Sequence, residues 1–265
     1  MNEKLLFCPK CHERLLANGK SLVCEKGHCF DVSKFGYVNL LLANQKRTKD
    51  PGDDKVMIGA RNEFLSKGYF EKLRNKICQT AQEKKGGVVL DAGCGTGYYS
   101  SPLCNDFDVV AVDISKEAAR MAAKNNKNAT AVVASIFNLP VADRSVDIVL
   151  NVFAPKPQQE FARVLKEDGI ILEVVPAKDH MKEIKDVLFY DKSKQNAEKF
   201  AFTNFKLVQS ERLTYTVDME DQTDIQNLVK MTPYWHTGGE KFFNNPKNIK
   251  TISTTFDFLV NIWKK

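Results

Sequence analysis

At 265 residues with 43% apolar side chains, the chain can build one large domain and a small attachment, which excludes a disordered or fibrous polymer. It holds no run of about 18 apolar residues, and Met1–Cys8 lacks a secretory leader's hydrophobic stretch, so a cytoplasmic protein with no membrane partner is expected. The net charge of +6 is concentrated at one end, with 11 basic and 7 acidic side chains in residues 1–61, against 14 and 14 in residues 62–177 and 14 and 12 in residues 178–265; a phosphate-rich partner and a solvated basic face fit this equally.

Of seven cysteines, Cys8, Cys11, Cys24 and Cys29 fall in the first thirty residues, which in a reducing compartment points to metal rather than disulfides. Cys8-Pro9-Lys10-Cys11 and Cys24-Glu25-Lys26-Gly27-His28 give C-x2-C, twelve residues, then C-x3-H. Two such knuckles can present four ligands to tetrahedral Zn2+ from opposite sides. Cys8, Cys11, Cys24 and His28 are the expected set, with Cys29 as an alternative to His28 and His12 as a bystander. Four protein ligands close the site, so the metal should hold shape rather than do chemistry. Residues 1–35 are too poor in periodic apolar positions to fold without such a staple, and 1–43 is read as the zinc-binding module. Residues 44–84 read as a linker and helical lead-in. Gln45–Asp54 is rich in charge and turn residues, and helical spacing follows through Met57, Ala60, Arg61, Phe64 and Leu65, then over Tyr69–Ala81.

From residue 85 to the end, short apolar runs alternate with amphipathic stretches, the βαβ pattern of a parallel sheet covered by helices. Strands are expected at Val88–Asp91, Val109–Val112, Ala131–Val133, Asp147–Asn151 and Gly169–Val175, and helices near Tyr98–Cys104, Lys116–Asn125 and Pro157–Leu165. A helix from after His180 to about Tyr190, a strand near Leu207–Val217, a helix near Asp221–Met231 and a terminal strand alternating from Ile252 to Ile262 complete the series. Cys78, Cys94 and Cys104 read as reduced core thiols.

The first of these strands runs straight into Asp91-Ala92-Gly93-Cys94-Gly95-Thr96-Gly97. Backbone approaches a ligand closely only where side chains are absent, and open α/β sheets bind ligands at their carboxyl edge. Asp113 lies 22 residues after Asp91, at the end of the second strand, where a carboxylate can accept hydrogen bonds from ribose hydroxyls. A dinucleotide site would require a small residue where Tyr98 stands. The Asp-x-Gly-x-Gly-x-Gly spacing instead resembles motif I of the Rossmann-like, class I methyltransferases. That resemblance implies S-adenosylmethionine, with Asp91 and the Gly93, Gly95, Thr96 and Gly97 turn passing over its amino-acid part and Asp113 on its ribose. In Ala134-Ser135-Ile136-Phe137-Asn138-Leu139-Pro140, Ser135 stands where this family commonly places an aspartate near adenine.

After the expected ligands come Phe30-Asp31-Val32-Ser33-Lys34-Phe35-Gly36-Tyr37-Val38-Asn39-Leu40-Leu41 and Lys46-Arg47-Thr48-Lys49-Asp50-Pro51-Gly52-Asp53. With Met57, Ala60, Arg61, Phe64-Leu65, Gly68, Tyr69-Phe70, Ala154-Pro155, Pro176, His180 and Met231-Thr232-Pro233, this resembles the RlmA family of ribosomal RNA methyltransferases over nearly the whole chain. The resemblance implies methylation of guanine N1 in a hairpin of 23S ribosomal RNA, zinc on Cys8, Cys11, Cys24 and His28, and Phe70 and His180 bordering the cofactor. Phe70 departs from an expected tyrosine, and His180, which on its own merits could be a capping or surface histidine, stands just past the fifth strand's carboxyl end, which favours the pocket. Lys46–Lys49, Arg61, Tyr37 and Phe35 are candidates for RNA contact. Phe153 is placed either to stack on guanine or to fill the core. Asp53, Asp54 and His236 are the candidate bases for the N1 proton. Whether the protein is a homodimer is left open. A small-molecule methyltransferase, which leaves the first sixty residues unexplained, and an RNA-binding protein without activity are the alternatives.

Overall fold

The computed structural model describes residues 2–45, 48, 51–188, 202–235, 239–243 and 249–265. The N-terminal part is a three-stranded antiparallel ribbon, β1 (Leu16–Asn18), β2 (Ser21–Val23) and β3 (Cys29–Asp31). Asn18 pairs with Ser21, so Gly19 and Lys20 form a two-residue hairpin loop in which Gly19 takes φ +60°.

The following strand leaves the ribbon. β4 (Tyr37–Asn39) lies parallel to β7 (Thr130–Val133) on the edge of the large sheet, within the stretch read as the zinc module. That sheet also contains β5 (Val88–Ala92), β6 (Asp108–Asp113), β8 (Val146–Val152), β9 (Leu165–Pro176), β10 (Lys206–Met219) and β11 (Ile252–Lys264), in the order β10-β11-β9-β8-β5-β6-β7-β4. β11 runs antiparallel between β9 and β10, and the other pairings are parallel. Strands covered on both faces read as unbroken apolar runs, which is why Val88–Leu90 and Ile148–Leu150 are so legible.

α1 (Lys55–Ser66), α2 (Glu71–Gln82), α3 (Lys116–Asn125), α4 (Gln158–Val164), α5 (Lys182–Leu188) and α6 (Gln222–Lys230) cover the sheet. Asp54 Oδ1 caps α1 by accepting from Met57 N at 2.8 Å, and Ser115 Oγ caps α3 by accepting from Ala118 N at 3.3 Å. One core joins Phe64, Leu73 and Ile77 to Val89, Leu150, Phe256 and Phe258. A second joins Leu90, Val110, Val132 and Phe161 to Leu6, Leu15 and Leu22 of the ribbon region. A bridge between Leu6 and Val141, with Phe7 N donating to Pro140 O at 3.0 Å, makes the seam.

One expected helix is absent: Tyr98–Cys104 is a turn followed by a 3₁₀ segment at Ser101–Asn105. Pro102 has no N–H to continue an α-helical ladder. The helix after His180 covers Lys182–Leu188, and Tyr190 lies outside the described residues, as do Lys46, Arg47, Lys49, Asp50 and His236. β9 begins four residues before the expected Gly169, at Leu165, which pairs with Val146. Tyr37 is not available to stack on RNA: it is buried against Ala119, Ala123 and Ala131, whereas Phe35 is exposed. No helix among the described residues is long and apolar enough to cross a membrane.

Candidate cofactor site and metal centre

The ribbon brings Cys8, Cys11, Cys24 and His28 together, with ligand atoms within 4.8 Å of one another. His28 Nδ1 stands 3.5 Å from Cys8 Sγ and 3.4 Å from Cys24 Sγ, and the sulfurs of Cys11 and Cys24 are 3.6 Å apart. Zn–S bonds of ~2.3 Å in a tetrahedron put sulfurs about 3.8 Å apart, so the donor set fits zinc in both chemistry and spacing. Burial pushes the Cys8 thiol up to about 11, and a cation is what would hold such a thiol deprotonated. Cys29 is exposed, on β3, outside the group.

At the carboxyl edge of the large sheet the order reverses between β5 and β8, the switch point where open α/β folds take ligands. The loop after β5 is built on left-handed backbone, with Gly93 at φ +83° and Gly95 at φ +53°. A side chain at Gly93 would stand 2.8 Å from Ala154 Cβ, so the loop lies directly against the exit of β8. Asp113, at the end of β6, accepts from Gly95 N at 2.9 Å and from Ser115 N at 2.8 Å, one bond to each carboxylate oxygen. Each oxygen keeps a further acceptor direction, as a pair of hydroxyls requires. Burial raises the Asp113 carboxyl, and the two backbone bonds oppose it, with Asp53 adding to the rise and Arg61 countering it.

Thr96 is buried, and its Oγ1 has no hydrogen-bond partner among the described residues. A buried, unsatisfied hydroxyl beside an open-backboned loop and a ribose-type carboxylate fits a nucleoside carrying a polar tail. Asp91 faces inward: Ser100 Oγ donates to its Oδ2 at 2.5 Å, and burial, opposed by that bond and helped by Asp113, lifts its carboxyl to about 7. Ser135 Oγ accepts from Phe137 N at 3.2 Å, and the Phe137 ring is exposed beside it.

An aromatic group borders the same edge. Phe153, immediately after β8, holds φ +54° and is 44% exposed, an unusual conformation for a bulky side chain. Its ring stacks on His180 at 6.4 Å and 26°, and meets Tyr99 edge-on at 6.4 Å. His180 is buried against Phe258, and its Nδ1 accepts from Asp257 N at 3.3 Å. Burial, aided by Lys185 and opposed by Asp257, pushes its pKa down to about 3, so the ring is neutral and carries its proton on Nε2. Phe70 packs edge-on against Phe64, Phe256 and Phe258 as a core ring, 6.5 Å from His180.

The sequence missed the closure over the glycine loop. Arg61 Nη1 pairs with Asp53 Oδ2 at 2.5 Å and Arg61 Nη2 donates to Met231 O at 3.0 Å, while Ser115 Oγ donates to Asp53 O at 2.8 Å. A side chain at Gly52 would lie 2.9 Å from Ile114, so the end of the supposed linker packs against the exit of β6. The available signal was the opposite charge of Asp53 and Arg61 on either side of a helix start.

Comparison with known proteins matches both the N-terminal module and the sheet. Residues 89–169 fit the family described as "Methyltransferase domain", and residues 6–49 fit the zinc ribbon described as "RlmA, N-terminal". The 23S rRNA (guanine(748)-N(1))-methyltransferase of Streptomyces fradiae is 34% identical over 96% of this chain and 95% of its own length. The Bacillus subtilis (strain 168) protein YxjB, whose name ascribes guanine-N1 methylation of 23S rRNA to it, is 32% identical over 97% of this chain and 96% of its own.

Proposed function

The chain belongs to the RlmA family of 23S rRNA (guanine-N1)-methyltransferases, and from that premise we propose that it methylates N1 of one guanine in a hairpin of 23S ribosomal RNA. The full-length relatives support the target, and the observation that carries the site of the base is Phe153, an exposed ring held at a strained φ beside the glycine loop, where an unstacked base can lie against it. S-adenosylmethionine, when bound, supplies a methyl group on a sulfonium, a strong electrophile that needs no covalent help from the protein. The chain's part is to orient and to exclude water.

Gly93 and Gly95 would let backbone approach the cofactor, Asp113 would accept from its ribose hydroxyls, and Thr96 Oγ1 would bond its tail. Ser135 and Phe137 border the adenine end. Neutral His180 backs Phe153 and offers a donor rather than a base. Guanine N1 must shed its proton as it gains the methyl. Of the bases considered, Asp54 is engaged as a helix cap, Asp53 is paired with Arg61, and His236 lies outside the described residues.

Zinc on Cys8, Cys11, Cys24 and His28 would hold the ribbon, which with exposed Phe35, under Lys34 and Arg120, presents a face suited to RNA. We assign residues 1–43 to RNA recognition, 44–84 to the lead-in and 85–265 to the methyltransferase unit. A ribosomal RNA substrate supports a cytoplasmic location. Unmodified 23S RNA incubated with the protein and S-adenosylmethionine should give N1-methylguanosine on nucleoside analysis and a reverse-transcription stop next to it. Methyl on another atom, or in transfer RNA, would refute the assignment.

A further inference from the structure

We propose that Arg61 receives the α-carboxylate of the cofactor's amino-acid part, an inference that rests on the methyltransferase reading above. The sequence suggests an RNA contact for this residue, but the guanidinium is held over the glycine loop. Its Nη1 lies 3.5 Å from where a Cβ on Gly95 would stand, so the cation packs directly against the backbone of the loop. The guanidinium is fixed from two sides, by Asp53 Oδ2 at 2.5 Å and by Met231 O at 3.0 Å. Asp53 is itself tethered through its carbonyl to Ser115 Oγ.

A guanidinium has five N–H donors in a fixed plane, and these two partners leave donors over. Its side chain is 24% exposed, so it remains within reach of a ligand. An α-carboxylate brought to this edge would stand among the carboxylates of Asp53 and Asp113, and a cation must offset that charge. Arginine suits the task because its fork matches a carboxylate in a way a lysine ammonium does not. Asp53 is thereby the positioning partner that keeps the fork over the loop.

Calorimetry on the full chain tests this with two probes, S-adenosylmethionine and decarboxylated S-adenosylmethionine, which retains the ammonium and sulfonium. Wild type should bind the decarboxylated form about tenfold or more weakly, the scale of a charge-assisted hydrogen bond. Arg61→Gln should bring the two affinities together, and Arg61→Lys should restore only part of the gap. Equal affinities in the wild type, a comparison that requires no variant to fold, overturn the proposal. So does an undiminished gap in Arg61→Gln. A wild type that binds neither probe overturns the cofactor reading itself, and the assignment of Arg61 with it.

Discussion

The ribbon and the sheet reach order by different routes. In the sheet, β5 through β9 bury apolar side chains on both faces, and that burial, with the ladder between strands, holds it together. In the ribbon, β1 is exposed throughout and β3 nearly so, and its buried positions are Leu22, Pro9 and the ligand thiols of Cys8 and Cys24, with Leu6 and Leu15 at the seam. What the ribbon lacks in apolar area it makes up with a ligand cluster and with the shared core through Leu6, Leu15 and Val141. A region this small thus carries both a metal-ligand cluster and a docked seam, while the sheet has its own core.

The largest expected effect breaks the ribbon alone. Cys24→Ala removes one ligand of a site whose metal can contribute about 10–16 kcal/mol to folding. Metal content should fall away and amide exchange should become fast from Leu6 to Asp31, with protection in β5 to β9 retained beyond the Pro140–Val141 seam. Retained protection at Leu15 and Leu22 in metal-free protein would show that docking suffices.

A second change acts on the sheet's edge and spares the ribbon. Asp113→Ala should weaken S-adenosylmethionine binding by about 1–3 kcal/mol, roughly ten- to hundredfold, by removing charge-assisted bonds to the ribose. Zinc content should stay at the wild-type level, and calorimetric affinity equal to wild type would sink the ribose contact.

Phe153→Gly separates stability from activity. Glycine takes φ +54° without strain, so the denaturation midpoint should hold or rise, while loss of a stacking ring costs about 1–3 kcal/mol toward RNA and slows methylation tenfold or more. A clear fall in stability with unchanged turnover would make Phe153 a core residue after all.

The effect smallest per unit of change is a pH slope. His180 has a folded pKa near 3 against an unfolded value near 6.5, so below pH 6.5 protonation favours the unfolded chain. Its stabilisation is complete above pH 6.5 and is lost progressively toward pH 3, at up to about 1.4 kcal/mol per pH unit. Urea midpoints between pH 7 and 4 should fall less steeply in His180→Gln; parallel curves would place the acid sensitivity elsewhere.

The local chemistry of this protein was legible in its sequence because it depends on short spacings. C-x2-C and C-x3-H specify two knuckles, and Gly93–Gly97 after a buried strand specifies a ligand loop. Asp113 follows from the length of one βα unit. Only the tertiary structure decided what long-range packing controls: β4 completing the edge of the large sheet, Tyr37 turned inward, Asp91 turned toward Ser100, and Phe70 drawn into the aromatic core. It also decided that His28 rather than Cys29 joins the three thiols, and that Arg61, Asp53 and Met231 meet over the glycine loop. Periodicity and spacing report a residue's neighbours along the chain. Which distant backbone or charge comes to lie against it is set by how whole elements pack, and 170 residues separate Arg61 from its partner Met231.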